Sequence, residues 1–228
     1  MTGKPSAAAQ LTLEFPRLDP DQRPLIETDP YRAPLALLRR WSAWPDGQLA
    51  LIGEKGAGKS RLLRSWAVEV GAAVTTGQAL AAAQIDEISQ LTFSALAIDD
   101  AECGANGLGL LAALNLCRAR LAPVLLTGRG EPSGWYDAPG DLRSRLQALP
   151  ISEIGAPDDD TLAQRLAEEC ELRHLRIPDE SIRYLAQRME RSWLAVTLVA
   201  DQVERTKGRA ETLRSARNVL IALGVDPG

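Results

Sequence analysis

Short apolar runs alternate with amphipathic segments along the first two thirds of the chain. Four apolar runs each predict a strand; they lie at 48–53 (QLALIG), 94–100 (SALAIDD), 122–128 (APVLLTG) and 148–155 (ALPISEIG). Segments with apolar positions at helical spacing predict helices at 32–41, 59–70 and 109–121. Strands that alternate with helices indicate βαβ units, in which helices cover both faces of a parallel sheet.

The pattern changes at about residue 157, and the remaining chain shows helical spacing only. Four helices are predicted, at 158–172, 178–189, 192–206 and 210–224. The first has aspartates at its cap positions, and the last is ended by Gly224. We therefore predict an α/β base domain at 25–156, followed by a small all-α domain at 157–228.

Residues 1–24 are rich in proline and predict a poorly ordered arm. The arm contains one alternating apolar segment, QLTLEF at 10–15. Its candidate contact residues are Gln10, Leu11, Leu13 and Phe15. The residues alone leave two interpretations open: an edge strand on the protein's own sheet, or a docking segment for another protein.

Composition and charge narrow the class of protein. The 228 residues are 45% hydrophobic and carry a net charge of −4, without the basic excess typical of proteins that grip nucleic-acid phosphates. No apolar run approaches the roughly 18–20 residues of a membrane span, and the N-terminus lacks a signal-peptide pattern, so we expect a cytoplasmic protein. The scattered Cys103, Cys117 and Cys170 and the lone His174 fit neither a disulfide framework nor a zinc site.

The strongest chemical motif is GEKGAGKS at 53–60, which fits G-x-x-x-x-G-K-[ST] at every fixed position. It lies between a predicted strand and a predicted helix, where backbone N–H groups and the helix N-terminus can cradle phosphates. Lys59 is expected to reach the β- and γ-phosphates, and the Ser60 hydroxyl to bind Mg²⁺. The predicted nucleotide-binding residues are Gly53, Glu54, Lys55, Gly56, Ala57, Gly58, Lys59, Ser60 and Arg61.

Polar residues at the ends of two further strands are candidate partners of this loop. Asp99 is a predicted Mg²⁺ ligand, and Asp100 is predicted to polarise the attacking water. Thr127 can sense the γ-phosphate or orient water, or simply begin a turn. Arg143 and Arg145 can serve a neighbouring subunit's nucleotide as an arginine finger, although an exposed surface role is the simpler interpretation.

Together, the phosphate loop, LAIDDAE, APVLLTG, DLRSRL and the four-helix tail resemble the AAA+ ATPases of the DnaA branch. Within that branch, residues 10–223 are similar to the Hda-type regulatory inactivators of DnaA. The phosphate loop is shared by many families, whereas the order of the later motifs and the QLTLEF segment are more specific. The resemblance implies a P-loop AAA+ base domain with an α-helical lid.

The resemblance also implies partners and roles. The segment 10–15 would bind the β sliding clamp of DNA polymerase III, since its glutamine can form directed hydrogen bonds and its apolar side chains can fill a preformed pocket. The protein would then promote hydrolysis of DnaA-bound ATP and so prevent re-initiation of chromosome replication. By motif position, Arg145 would be the finger presented in trans, with Arg143 as the fallback. The expected ligand is ADP or ATP with Mg²⁺, with weak or no intrinsic hydrolysis.

The sequence departs from the family pattern in the lid. The position that usually carries a sensor arginine aligns with Leu194, and Arg191 lies one turn earlier. Arg191 is therefore the candidate nucleotide contact, unless the sensor is lost. The sequence ends at Gly228 without a helix-turn-helix region, so direct recognition of origin sequence is not expected. A homodimer is compatible with the self-complementary surfaces of AAA+ proteins.

Two alternatives to the inactivator remain. One is a nucleotide-dependent loader or anchor that recruits another factor to origin-bound DnaA without stimulating hydrolysis. The other is a stand-alone P-loop ATPase whose segment 10–15 is only structural.

Overall fold

Five parallel strands form a single sheet in the first part of the chain. They are β1 (Gln48–Gly53), β2 (Ala73–Thr76), β3 (Leu96–Asp99), β4 (Val124–Gly128) and β5 (Ile151–Ile154), in the spatial order β2-β3-β4-β1-β5. The computed structural model describes residues 29–104, 107–137, 140–206 and 212–225. The chain leaves β1 for β2 at one edge of the sheet and later passes from β4 to β5 at the other edge. β1 therefore lies where the strand order switches, and a crevice opens at its carboxyl end.

Helices cover both faces of the sheet. The helices of this part are α1 (Asp29–Arg39), α2 (Lys59–Val70), α3 (Gly77–Ala82), α4 (Ile85–Gln90), α5 (Leu108–Arg120) and α6 (Gly140–Ala148), with short 3-10 turns at Trp41–Ala43, Pro45–Gly47 and Pro132–Gly134. One face packs against α1 and α2, around the fully buried Trp66. The opposite face packs against α3, α4, α5 and α6 through residues such as Leu114 and Leu142. The central strands are consequently apolar on both sides.

A second hydrophobic core is formed by the helices that follow the sheet. They are α7 (Asp159–Leu172), α8 (Asp179–Ala186), α9 (Trp193–Arg205) and α10 (Leu213–Ala222). Asp158 and Ser192 cap α7 and α9, because their side-chain oxygens accept the backbone N–H of the third residue onward. We call this helical part the lid; the predicted boundary at residue 157 falls in the loop between β5 and α7.

The structure confirms the predicted α/β class with its parallel sheet and helical C-terminal part. Four elements were not predicted: β2, α3, α4 and α6. The edge strand β2 is largely solvent-exposed, so its sequence AVTT lacks the apolar run that marks the central strands. Within the residues described, no helix is both long and apolar enough to cross a bilayer.

Candidate functional site

The phosphate loop lies between the carboxyl end of β1 and the start of α2. Gly56 and Gly58 have φ values of +79° and +94°, a conformation that glycine adopts at little cost. Lys59, at the first position of α2, is 6% exposed, and its Nζ donates to the carbonyl oxygens of Gly53 (2.6 Å) and Glu54 (2.9 Å). Burial lowers the pKa of this ammonium group. The loop thus holds a desolvated cation that a phosphate can draw away from the two carbonyl groups.

Asp99 is the hub of a hydrogen-bonded group beside the loop. Its Oδ1 accepts from the hydroxyl of Ser60 (3.0 Å) and from that of Thr127 (2.5 Å), which is fully buried. Thr127 Oγ1 in turn accepts the backbone N–H of Asp100 (3.1 Å). The start of α2 and the carboxyl ends of β3 and β4 therefore bring these predicted residues into one cluster. A hydroxyl and a carboxylate fit Mg²⁺, which takes few protein oxygens when phosphates supply others.

Asp100 lies next to this hub and lines the cleft above the loop. Its pKa is raised, first by partial burial and then by the negative charges of Asp99 and Glu102. A carboxylate with a raised pKa accepts a proton more readily, and this suits the water-polarising role predicted for Asp100.

The cleft between the base and the lid has a volume of about 660 Å³. Seven basic and three acidic residues line it, which gives an excess of positive charge. The basic residues are Lys55, Lys59, Arg61, Arg64, Arg129, Arg165 and Arg173, and the acidic ones are Asp100, Glu169 and Asp201. A polyphosphate fits this charge distribution.

The lid contacts the phosphate loop directly at Gly56 and through Tyr31 of α1 at Ala57. The backbone N–H of Trp193, the first residue of α9, donates to the carbonyl oxygen of Gly56 (3.0 Å). Its indole ring stacks on Tyr31, with a centroid distance of 5.5 Å, and the Tyr31 hydroxyl donates to Ala57 O (2.7 Å). A Cβ atom added at Gly56 would lie 3.0 Å from Ser192 Cβ. The resting position of the lid is therefore coupled to the conformation of the loop.

A Gly58→Ala substitution is expected to lower the thermal midpoint and nucleotide affinity together. The added Cβ would lie 1.9 Å from the Tyr31 hydroxyl, at a φ of +94° that an L-residue adopts only under strain. Calorimetry and nucleotide titration would measure both effects. Gly71→Ala is the matched control, since Gly71 has a similar φ of +69° with no atom within 4 Å of the added Cβ. An equal loss of stability in the two variants would contradict the role of the Tyr31 contact.

The predicted arginine fingers lie outside the cleft lining, on α6. Arg145 Nε lies 3.2 Å from Asp141 Oδ1, and the side chain borders a shallow cavity of about 200 Å³ with Gln48 and Pro150 at the amino edge of the sheet. Arg143 Nη2 lies 3.2 Å from Asp137 Oδ1. Both positions suit contact with another molecule rather than with the protein's own loop, and the trans role stays a prediction.

Two further predictions concern the lid arginine Arg191 and the N-terminal segment 10–15. The lid places Leu194, rather than Arg191, among the described residues that line the cleft. Arg191 forms an ion pair with Asp159 (2.9 Å), and 59% of its side chain is exposed. The predicted clamp-binding residues Gln10, Leu11, Leu13 and Phe15 lie outside the described residues.

Sequence reasoning missed the contributions of Tyr31, Arg129, Arg165, Arg173 and Trp193 to the site. Arg129 pairs with Glu102 (3.0 Å) beside Asp100. The only available signal was in α7, where Arg165, Glu169 and Arg173 recur at intervals of four residues on one helix face. An amphipathic helix offers the same pattern as a solvated face, so the sequence did not distinguish the two.

Comparison with known proteins supports this picture. No protein-family model matches the chain. The chromosomal replication initiator protein DnaA of Nautilia profundicola is 33% identical over 67 residues, which are 29% of this chain and 15% of that protein.

Solved structures show the fold. Domain III of the Thermotoga maritima initiator DnaA matches with a TM-score of 0.67 and 19% identity over 84% of this chain and 90% of that one. AMPPCP-bound DnaA from Aquifex aeolicus matches with a TM-score of 0.68 and 16% identity over 86% and 69%. The RuvB Holliday junction branch migration motor of Thermotoga maritima matches with a TM-score of 0.63 and 20% identity over 87% of this chain and 68% of that one. The chain thus has the AAA+ fold of DnaA and RuvB.

Proposed function

We propose that this chain is a DnaA-related AAA+ regulator that binds an adenine nucleotide with Mg²⁺ and acts in replication initiation. It docks on the β sliding clamp through residues 10–15 and promotes hydrolysis of ATP bound to DnaA. The nucleotide-binding part of the proposal rests on the Asp99 carboxylate, which accepts hydrogen bonds from the hydroxyls of Ser60 and Thr127 beside the phosphate loop. The DnaA-like fold around that site supports the replication role.

The regulatory role is supported by where the basic residues lie. Leu194, rather than an arginine, faces the cleft at the expected sensor position, a change that disfavours efficient turnover of the chain's own nucleotide. Arg145 lies on α6, away from the cleft, where it can be offered to a second AAA+ protein. AAA+ partners complete one another's sites with such an arginine, which stabilises charge in the transition state. Bound nucleotide then sets the base–lid arrangement rather than serving as the main substrate.

The proposal is tested by following DnaA-bound, radiolabelled ATP in the presence of clamp loaded on DNA. Adding this chain should accelerate conversion to ADP only when the loaded clamp is present. Formation of a complex with DnaA on the clamp without acceleration would favour the loader or anchor. Substantial turnover by the purified chain alone, abolished in Lys59→Ala, would favour the stand-alone ATPase.

Clamp binding is tested by a Gln10→Ala, Leu13→Ala double variant. Removing the amide and one apolar anchor is expected to weaken clamp binding at least about tenfold, because a few anchor residues dominate such short-segment interfaces. Surface plasmon resonance on immobilised clamp would measure the affinity. Thr12→Ala and Glu14→Ala, between the proposed contacts, serve as the matched control. Unchanged affinity of the double variant would rule out this docking segment.

A further inference from the structure

Helix α7 carries a buried ionic network on the face that it turns towards the cleft. Arg165, Glu169 and Arg173 follow one another at intervals of four residues and all line the cleft. Arg165 is 8% exposed and Glu169 is 2% exposed. Charges at this depth require close partners, since desolvation of an isolated charge is costly. The partners of each arginine therefore show which of them has charge available for a ligand.

Arg173 forms ion pairs with acidic residues of the lid itself. Its Nη1 lies 2.5 Å from Glu169 Oε1, and its Nη2 lies 2.9 Å from Asp201 Oδ1. Its Nε lies 3.5 Å from Glu204 Oε2, so α7 and α9 are held together through one guanidinium group. Arg173 is accordingly a positioning residue that fixes the orientation of Glu169 and of the α7 face.

The positive charge of Arg165 is less fully compensated by nearby carboxylates than that of Arg173. Its Nη2 is 4.0 Å from the Glu169 carboxylate that Arg173 holds at 2.5 Å. Its Nη1 is 3.2 Å from Glu168 Oε2, and the Glu168 side chain is 37% exposed. The partly exposed Glu168 competes with a ligand for this guanidinium group, and water can take its place on Glu168 when a ligand binds. A doubly charged phosphate can therefore draw Arg165 from Glu168.

Arg165 also lies within electrostatic reach of the phosphate loop. Burial raises the pKa of the Tyr31 hydroxyl, and the positive charges of Arg61 and Arg165 act against that rise. The same hydroxyl donates to Ala57 O in the loop. Both arginines line the cleft, Arg61 from the first turn of α2 in the base and Arg165 from α7 in the lid.

We infer that Arg165 of α7 is the lid residue that binds the phosphates of the nucleotide, in place of an arginine at the position of Leu194. The inference rests on the proposed nucleotide binding and adds a residue and an element to it. Its planar guanidinium group can form paired hydrogen bonds to phosphate oxygens. Binding would draw α7 towards the loop, and the Arg173 network would transmit that movement to α9. The position of the lid would then depend on whether phosphates are bound.

The test compares the affinities of Arg165→Gln and wild type for a fluorescent ADP derivative, with inorganic pyrophosphate as competitor. We expect Arg165→Gln to weaken both ligands by about 10- to 100-fold, as for loss of charge-assisted hydrogen bonds. Arg183→Gln removes an exposed lid arginine on α8 and should leave both affinities within about twofold. Glu168→Gln removes the competitor for Arg165 and should tighten the binding of both ligands.

The outcomes separate this inference from the proposed function. Nucleotide binding that is lost in Lys59→Ala but unchanged in Arg165→Gln and Glu168→Gln would overturn the inference alone. Weakened ADP binding with unchanged pyrophosphate competition would also overturn it, because the contact would then be to the nucleoside. If Arg165→Gln fails to fold, Glu168→Gln decides by itself: unchanged affinity overturns the inference. A wild-type protein that binds no nucleotide would overturn the proposed function as well.

Discussion

An Arg145→Ala variant is expected to lose the ability to accelerate hydrolysis of DnaA-bound ATP, with a rate reduction of about 10³-fold or more. An arginine offered in trans acts only in the transition state, when charge spreads over the transferred phosphoryl group. Its loss should therefore leave binding to the loaded clamp and to DnaA unchanged. Single-turnover conversion of radiolabelled ATP on DnaA would measure the rate, and co-sedimentation with the clamp would measure binding.

Two further substitutions on the same surface sharpen this test. Arg118→Ala removes an exposed arginine at the cavity that Arg145 borders, and should change the rate by no more than about twofold if only general surface charge is altered. Arg143→Ala tests the fallback, since Arg143 lies two residues away and pairs with Asp137. Loss of activity in Arg143→Ala with full activity in Arg145→Ala would assign the finger to Arg143. Full activity in both variants would remove α6 from the mechanism.

A Lys59→Ala variant is expected to lose at least about 100-fold in affinity for ADP and ATP, since charge-assisted hydrogen bonds to phosphate each contribute about 1.5–3 kcal/mol. In the structure the ammonium group is buried and bonded only to carbonyl oxygens of Gly53 and Glu54 among the contacts described. A phosphate would replace these neutral partners by charged ones. Saturating ADP should raise the thermal midpoint of wild type by about 5–10 °C, through linkage at about 100 times Kd, and leave the variant unshifted.

The ligand-free protein supplies the control for this variant. Burial lowers the pKa of Lys59 in the folded state, so the charged ammonium opposes folding at every pH below that lowered pKa. Removing it relieves this cost, and the ligand-free midpoint should not fall by more than a few degrees. Retention of the ADP-induced shift in Lys59→Ala would contradict the assignment of the loop. A large fall of the ligand-free midpoint would instead indicate a structural defect.

The central strands could be predicted because burial on both faces requires continuous apolar runs. The run at 48–53 corresponds to β1 (Gln48–Gly53), and that at 122–128 contains β4 (Val124–Gly128). By contrast, β2 (Ala73–Thr76) lies at the edge of the sheet, where Val74 is 53% exposed. Its pairing with β3 uses backbone hydrogen bonds that any sequence can supply, so it leaves little pattern in the residues.

The candidate site likewise contains residues that a local sequence pattern reveals and residues that only packing brings together. Residues 53–60 are recognisable because a phosphate loop needs particular residues at fixed local spacing. Tyr31, Arg165 and Trp193 approach that loop from α1, α7 and α9, which are far apart in sequence. Their proximity results from packing between the base and the lid, and no local spacing encodes it. Arg191, which precedes α9 and pairs with Asp159, was chosen from its spacing to Leu194, and its nucleotide contact stays a prediction.

Gly56 occupies a position that the phosphate-binding pattern leaves open to any residue. In this chain it cannot accept one freely, because Ser192 and Leu194 of the lid lie 3.0 and 3.3 Å from where a Cβ would be placed. Its carbonyl group also receives the first N–H of α9. We therefore expect substitutions at this glycine to be limited by its positive φ and also by the start of α9, far along the chain. Drift at this site and at the start of α9 should be correlated between lineages, as the record of a shared surface rather than of the ligand.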